Sequence, residues 1–324
     1  MIRYEAGGSD LLEVLAPLWE KLRDHHRDCS SHFTSWFAKR SFEQRHEELV
    51  GKAKDGDLRA DIAYDDGTQS PVGYCVSTID EYRVGEIDSL FLLPEYRGSG
   101  IGEELMQRHL TWLQDQETSQ IQLVVAEGNE RVIPFYQRFG FQPFSFAMQI
   151  PPDTPLVEGS PCSAMDQPGQ PKMVFHQGSL ELLPNIEPLW LALRDHHARH
   201  STHFREQLEE LSFEGEKLAL MQAHKTGNVG IFVASTVSNN LMGYSICVRM
   251  KDRSGIVESL YVRPEIRDGG IGRELVRRSL VWLKKQNADP IRVRIAIGNE
   301  KARGVYERCG FRLRTYLLRW RNNS

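Results

Sequence analysis

A chain of 324 residues, 40% hydrophobic and 26% charged, has the makings of two soluble domains of ordinary size. Its net charge of −4 excludes bulk attraction to nucleic acid or to an anionic membrane, and no apolar run nears the ~20 residues that span a bilayer. Residues 1–15 lack a basic stretch followed by an apolar one, and Cys29, Cys75, Cys162, Cys247 and Cys309 are scattered without CxxC spacing, so a reduced, cytoplasmic protein with no metal site is expected.

Residues 2–6 read as a short strand. Leu11, Leu12, Leu15, Leu18, Trp19 and Leu22 recur at helical spacing behind Ser9 or Asp10 as a cap, and a second helix is predicted over 40–53. Segments 61–64 and 71–79 read as antiparallel strands, and 86–93 as the next strand. A helix follows over 100–116, with Ile101, Leu105, Arg108 and Trp112 on one face. Then come a strand at 121–126, a helix over 129–139 weakened by Pro134, and a last strand at 143–150. This order predicts an α+β domain, a mixed and mostly antiparallel sheet flanked by helices, rather than the strict alternation of a doubly wound fold.

The same order then repeats. SLFLLPEYRGSGIG at 89–102 aligns with SLYVRPEIRDGGIG at 259–272, an offset of 170, and PLWEKLRDHH at 17–26 aligns with PLWLALRDHH at 188–197, an offset of 171. A period that long is duplication of a whole domain, with one residue gained or lost in a loop. Residues 151–172 between the copies carry six prolines and few large apolar residues, which reads as a semi-rigid linker. The expected domains are therefore 1–150 and 173–324.

Each copy contains Arg-x-x-Gly-x-Gly between a strand and a helix: Arg97, Gly98, Ser99, Gly100, Ile101 and Gly102 in the first, and Arg267, Asp268, Gly269, Gly270, Ile271 and Gly272 in the second. A helix start offers unpaired N–H groups and a positive dipole end, glycines let an anion approach, and arginine adds charge. The pattern suits a pyrophosphate, although Asp268 places a carboxylate in the second loop. Downstream, Asn129 and Tyr136, and again Asn299 and Tyr306, stand seven apart, nearly two helical turns, so that both would project from one face. Neither loop has the Lys-Ser/Thr of a nucleotide-binding P-loop.

Taken together, these motifs resemble the GCN5-related N-acetyltransferase (GNAT) superfamily in tandem, over the C-terminal two-thirds of each half and by element order over the rest. The resemblance implies acetyl-CoA as acyl donor in each half. Backbone groups of Leu92 and Leu93, and of Val262 and Arg263, would pair with the pantetheine arm. The two arginine-glycine loops would hold the pyrophosphate, and Asn129 and Asn299 would contact the cofactor arm. Tyr136 and Tyr306 would sit near the sulfur as general acids.

The acceptor is then a primary amine of a small molecule or a peptide, attacking directly. An alkyl amine has a pKa near ~10.4 and must lose a proton to react at neutral pH. Asp88 and Glu258, aligned two residues before the apolar strand ends, are the candidate bases. Adjacent histidines recur at His25-His26 and His196-His197; they point apart on a helix and lack metal-ligand spacing, which leaves helix-end hydrogen bonding or an acceptor-site role. The rival expectation is an acyl-CoA-binding sensor or scaffold in which one or both halves do not catalyse.

Overall fold

The computed structural model describes residues 1–54, 56–152, 154, 172–226 and 228–321; most of the proline-rich stretch expected as a linker lies outside them. The chain forms two compact units, residues 1–143 with 315–324, and residues 144–314.

The first unit begins with strand β1 (Ile2–Gly7), then helices α1 (Leu12–Cys29), α2 (Thr34–Ala38) and α3 (Phe42–Lys52). Strands β2 (Asp57–Asp65), β3 (Ser70–Ile79) and β4 (Val84–Leu92) form an antiparallel meander. Helix α4 (Ile101–Asp115) crosses over to β5 (Gln120–Ala126), parallel to β4, and α5 (Ile133–Gln137) follows. The second unit repeats the series: β7 (Met173–Gly178), α6 (Leu183–His200), α7 (Arg205–Glu209), α8 (Phe213–Thr226), β8 (Asn228–Thr236), β9 (Leu241–Arg249), β10 (Gly255–Val262), α9 (Ile271–Lys285), β11 (Ile291–Ala296) and α10 (Arg303–Arg308).

The strand expected to close the first domain does not close it. β6 (Phe141–Gln149) pairs antiparallel with β11 of the second unit, matching Arg292 with Gln149 and Ala296 with Ser145. Reciprocally, β12 (Arg312–Trp320) pairs antiparallel with β5 of the first, from Thr315 opposite Ala126 to Arg319 opposite Gln122. Each unit is thus finished by a strand from the other half of the sequence. Periodicity cannot reveal this, because either partner offers the same apolar face and the same backbone ladder.

Each sheet is covered on both faces. In the first unit Leu12, Leu15, Leu18 and Leu49 of α1 and α3 pack on Ile62, Tyr74 and Val76, while Leu105, Leu110 and Leu113 of α4 pack on Cys75, Ile87 and Leu123. The buried stripe of α4 runs Ile101, Leu105, His109, Leu113; Arg108, expected on that face, turns instead to Asp61 at 3.5 Å. Trp19 stacks edge-on against Phe42, and Trp190 against Phe213, at ring separations of 5.8 and 5.6 Å. These twin anchors fix α3 and α8 as counterparts at an offset of 171.

The helix expected over 129–139 is broken. Residues Glu130–Val132 form a single 3₁₀ turn before the five-residue α5, and Glu300–Ala302 do the same before α10. Proline at the second position of α5 starts the α-helix afresh. Asn129 and Asn299 therefore precede their helices, and the shared helical face expected for Asn and Tyr does not form.

Candidate active site

In each unit the central strand carries a β-bulge. Opposite β3, pairing jumps from Ile87 to Ser89, and opposite β9 from Val257 to Ser259, so the extra residues are Asp88 and Glu258. A bulge bends its strand and re-aims the side chain. Parallel pairing with the next strand ends at the same point: β4 meets β5 only from Val84 to Ile87, and β10 meets β11 only from Gly255 to Val257. Beyond the bulge the two strands diverge into a wedge.

Main-chain groups line that wedge. Leu93 N–H bonds Val72 O and Arg263 N–H bonds Met242 O, both at 2.9 Å, so these two amides turn back into the meander. Successive strand residues alternate, and Leu92 and Val262 therefore turn their N–H and C=O groups into the wedge. Of the two residues expected to contact a pantetheine arm in each copy, one is so oriented.

The strand ends lead into the arginine-glycine loops. Arg97 Nε donates to Leu92 O at 3.3 Å and Arg267 Nε to Val262 O at 3.0 Å, with each guanidinium over an aromatic ring, Phe91 or Tyr261. Gly98 and Gly100 adopt φ +73° and +86°, and an added Cβ at either meets nothing within 4 Å, so open space lies before the loop. Gly100 and Gly270 are the residues before α4 and α9, and neither helix has a side-chain cap. Their first-turn amides are left for an outside acceptor, such as a phosphate oxygen. Ser99 Oγ donates to Tyr96 O at 2.6 Å. Asp268 occupies the left-handed position of Gly98, at φ +69°. Aspartate is among the few residues that tolerate this region. Gly102 packs against Leu92, where a Cβ would lie 3.2 Å from a side-chain carbon.

The histidine pairs acquire a role that their spacing alone did not reveal. Gly128 and Gly298, at φ +85° and +95°, let the loop after β5 or β11 press against the end of α1 or α6: an added Cβ would fall 2.2 Å from Cys29 O or 2.3 Å from His200 O. The contact brings His25 Nε2 to 3.3 Å from Asn129 Oδ1, and His197 Nε2 to 3.2 Å from Asn299 Nδ2. The asparagines expected on the cofactor arm are thus held by the first helix of each unit. Burial, aided by His196 and His200, pulls His197 down to about 4, so it is a neutral hydrogen-bonding ring.

Tyr136 packs edge-on against Phe135 and Phe141, and Tyr306 against Phe311. Burial raises both phenols well above their ordinary value, and neither hydroxyl has a hydrogen-bond partner among the described residues. Both are held as protonated donors.

The two carboxylates at the bulges sit in opposite surroundings. Asp88 has no exposed side-chain surface; Lys52 Nζ lies at 2.6 Å, Arg45 Nη2 at 3.3 Å, and Thr78 Oγ1 donates at 2.6 Å. Burial pulls the Lys52 ammonium down, but Asp88 and Glu86 outweigh it and raise it overall. Glu258 has no ion pair or hydrogen bond among the described residues. It is exposed to solvent; desolvation by the surrounding protein raises its carboxyl, with Arg294 acting in opposition. Glu216 of α8 is close enough to be repelled by it: desolvation and Glu258 push Glu216 up to about 7. Glu216 also acts on Tyr244, whose hydroxyl accepts from Ser259 Oγ at 3.1 Å. Arg45, Lys52 and Glu216 escaped the sequence reading, although carrying the offset of 171 through residues 40–53 sets Arg45 over Glu216.

A bulged strand opening a wedge, running into an uncapped, glycine-opened helix and present twice over, defines a tandem acetyltransferase fold. The chain belongs to the acetyltransferase (GNAT) family, whose profile matches residues 19–141 and again 190–311. An uncharacterised N-acetyltransferase of Archaeoglobus fulgidus is 36% identical over 94 residues, 27% of this chain and 60% of its own length. Another, from Methanocaldococcus jannaschii, is 32% identical over 78 residues, 22% of this chain and 34% of its own length. The chain thus spans from a third to three-fifths of these relatives. A solved GCN5-related N-acetyltransferase from Sphaerobacter thermophilus shares the fold over 98% of this chain and 95% of its own, with a TM-score of 0.58 at 15% identity.

Proposed function

We propose that the protein transfers an acetyl group from acetyl-CoA to a primary amine of a small molecule or peptide, by direct attack and without an acyl-enzyme. The observation that carries this reading is the continuous path from the wedge-facing backbone of Leu92 or Val262 to the open helix start beyond Gly100 or Gly270. Acetyl-CoA brings an activated thioester carbonyl. Its pantetheine arm has an added-strand surface to lie on, its pyrophosphate has first-turn amides and Arg97 or Arg267, and one wedge N–H can polarise the carbonyl.

The amine nitrogen bonds the carbonyl carbon as the C–S bond breaks. The amine's proton passes to a carboxylate, directly or through water, and a buried tyrosine donates its proton to the leaving thiolate. Tyr306 and Glu258 fill these roles in the C-terminal half; Tyr136 stands at the matching place in the N-terminal half, where Asp88 is already engaged by Lys52, Arg45 and Thr78.

A second reading, acyl-CoA binding without transfer, has one observation in its favour and only for the N-terminal half: Asp88 is occupied by two cations and a hydroxyl. Calorimetry with acetyl-CoA, together with free-thiol release over a panel of amines, polyamines, aminoglycosides and peptides, tests both readings. Absence of acetyl-CoA affinity at either half would end the proposal, and two binding sites with no turnover on any amine would support the binding-only reading.

A further inference from the structure

The three groups that hold Asp88 are all replaced at the matching places of the second unit. Arg45 becomes Glu216, Lys52 becomes Ala223, and Thr78 becomes Val248, on elements registered by the Phe42/Phe213 anchors and by the equivalent strand pairings of Gly73 with Leu92 and Gly243 with Val262. Asp88 is filled by its own cations, whereas at the matching place of the second unit Glu258 repels Glu216, with Arg294 opposing the rise of Glu258.

We propose that acetyl transfer is confined to the C-terminal half, where Glu216 binds the ammonium form of an aliphatic amine beside Glu258, and that the N-terminal half, its carboxylate sealed by Lys52, Arg45 and Thr78, is non-catalytic. This rests on the acetyl-transfer reading above and deepens it by naming the acceptor's charge and the half that receives it. Two neighbouring carboxylates repel each other, and a cation relieves that repulsion. Glu216 holds the arriving ammonium; Glu258 takes one proton from it and so frees the nitrogen lone pair, and the second proton, released as the C–N bond forms, leaves through water while Tyr306 protonates the departing thiolate. An anionic amine meets repulsion there, and a neutral aryl amine offers no charge to hold. In the N-terminal cleft an entering ammonium would have to displace Lys52 from a 2.6 Å ion pair.

The test uses the full chain, with 1,4-diaminobutane, n-butylamine, glutamate and aniline as probes. Transfer is followed by thiol release, and amine binding by calorimetry in the presence of CoA. Expected are transfer to the two alkylamines, and a rise in amine KM of about 10-fold in Glu216→Gln, the usual worth of one charge-assisted contact. A larger rise is expected in Glu216→Arg, which installs the residue of the N-terminal cleft. The KM for acetyl-CoA should stay unchanged in both, and Glu216→Asp should recover much of the loss. In Glu258→Gln turnover of the full chain should fall about 10²-fold with acetyl-CoA affinity unchanged, because the N-terminal half supplies none.

Preference for aniline or glutamate, an unaltered amine KM in Glu216→Gln, or retained turnover in Glu258→Gln would overturn this inference while leaving acetyl transfer standing. Glu216-dependent binding of alkylamines without any transfer would support the recognition role and overturn the confinement of catalysis to this half, along with the reading of the previous section.

Discussion

Tyr306 and Tyr136 stand at matching places, each against a phenylalanine, Phe311 or Phe141, and each kept protonated by desolvation. Of the two bulge carboxylates, the one in the unit of Tyr306, Glu258, has no ion pair among the described residues, whereas Asp88 is held by Lys52 and Arg45. Tyr306→Phe is therefore expected to lower kcat by about 10²-fold, a typical share for one general acid, with acetyl-CoA affinity unchanged, while Tyr136→Phe leaves turnover intact. Single-turnover thiol release distinguishes the two variants. Glu216 carries a second expectation. Its carboxyl, ordinarily at 4.5, stands at about 7 in the folded chain, with Glu258 and Tyr244 facing it and Arg294 set against Glu258. Between those values the folded state keeps a proton that the unfolded state has lost. This group's contribution to stability is thus greatest below pH 4.5 and declines as pH rises to about 7. Urea midpoints at pH 5 and pH 8 should differ less in Glu216→Gln than in the parent chain.

The beginning of α9 illustrates how one element is assembled from residue-level preferences. Asp268 holds φ +69° where the first copy has glycine, and its short polar side chain makes that tolerable. Asp268→Ala keeps the strain without that side chain and is expected to cost about 1 kcal/mol of stability. Asp268→Gly removes the carboxylate as well as the strain and is expected to tighten CoA binding about 3-fold, the scale of one exposed charge contact. Thermal melts and calorimetry check the pair. This loop was legible in the sequence because its requirements are local: an arginine, a left-handed turn and an uncapped helix all follow from neighbouring residues. The link from His197 to Asn299 was not, because it joins residues about a hundred apart through the close approach at Gly298. The charge inversion lay in between. Asp88 and Glu258 stood out by alignment, but the partners that distinguish them sit on another helix, and only its packing brings Arg45 to one and Glu216 to the other.

At the level of the whole molecule, order and type of the elements followed from periodicity and turn residues, and the repeat supplied each prediction twice. What periodicity left open was which sheet the last strand of each copy joins. β5 is paired along residues 122–126 by β12, and β11 along 292–296 by β6. A fragment ending near residue 152 leaves β5 with an open edge, and open edges of apolar strands associate. Such a fragment is expected to aggregate or to unfold cooperatively at lower denaturant than the parent, and co-expression with residues 172–324 is expected to restore a soluble complex, as gel filtration would show. The reciprocal exchange also sets a schedule on the ribosome. Everything in the first unit up to Ala126 emerges early, yet its final strand is not made until synthesis reaches Trp320, on the order of ten seconds or more later at ordinary elongation rates. Throughout that interval the nascent chain carries an unfinished sheet, and chaperone engagement should be densest there.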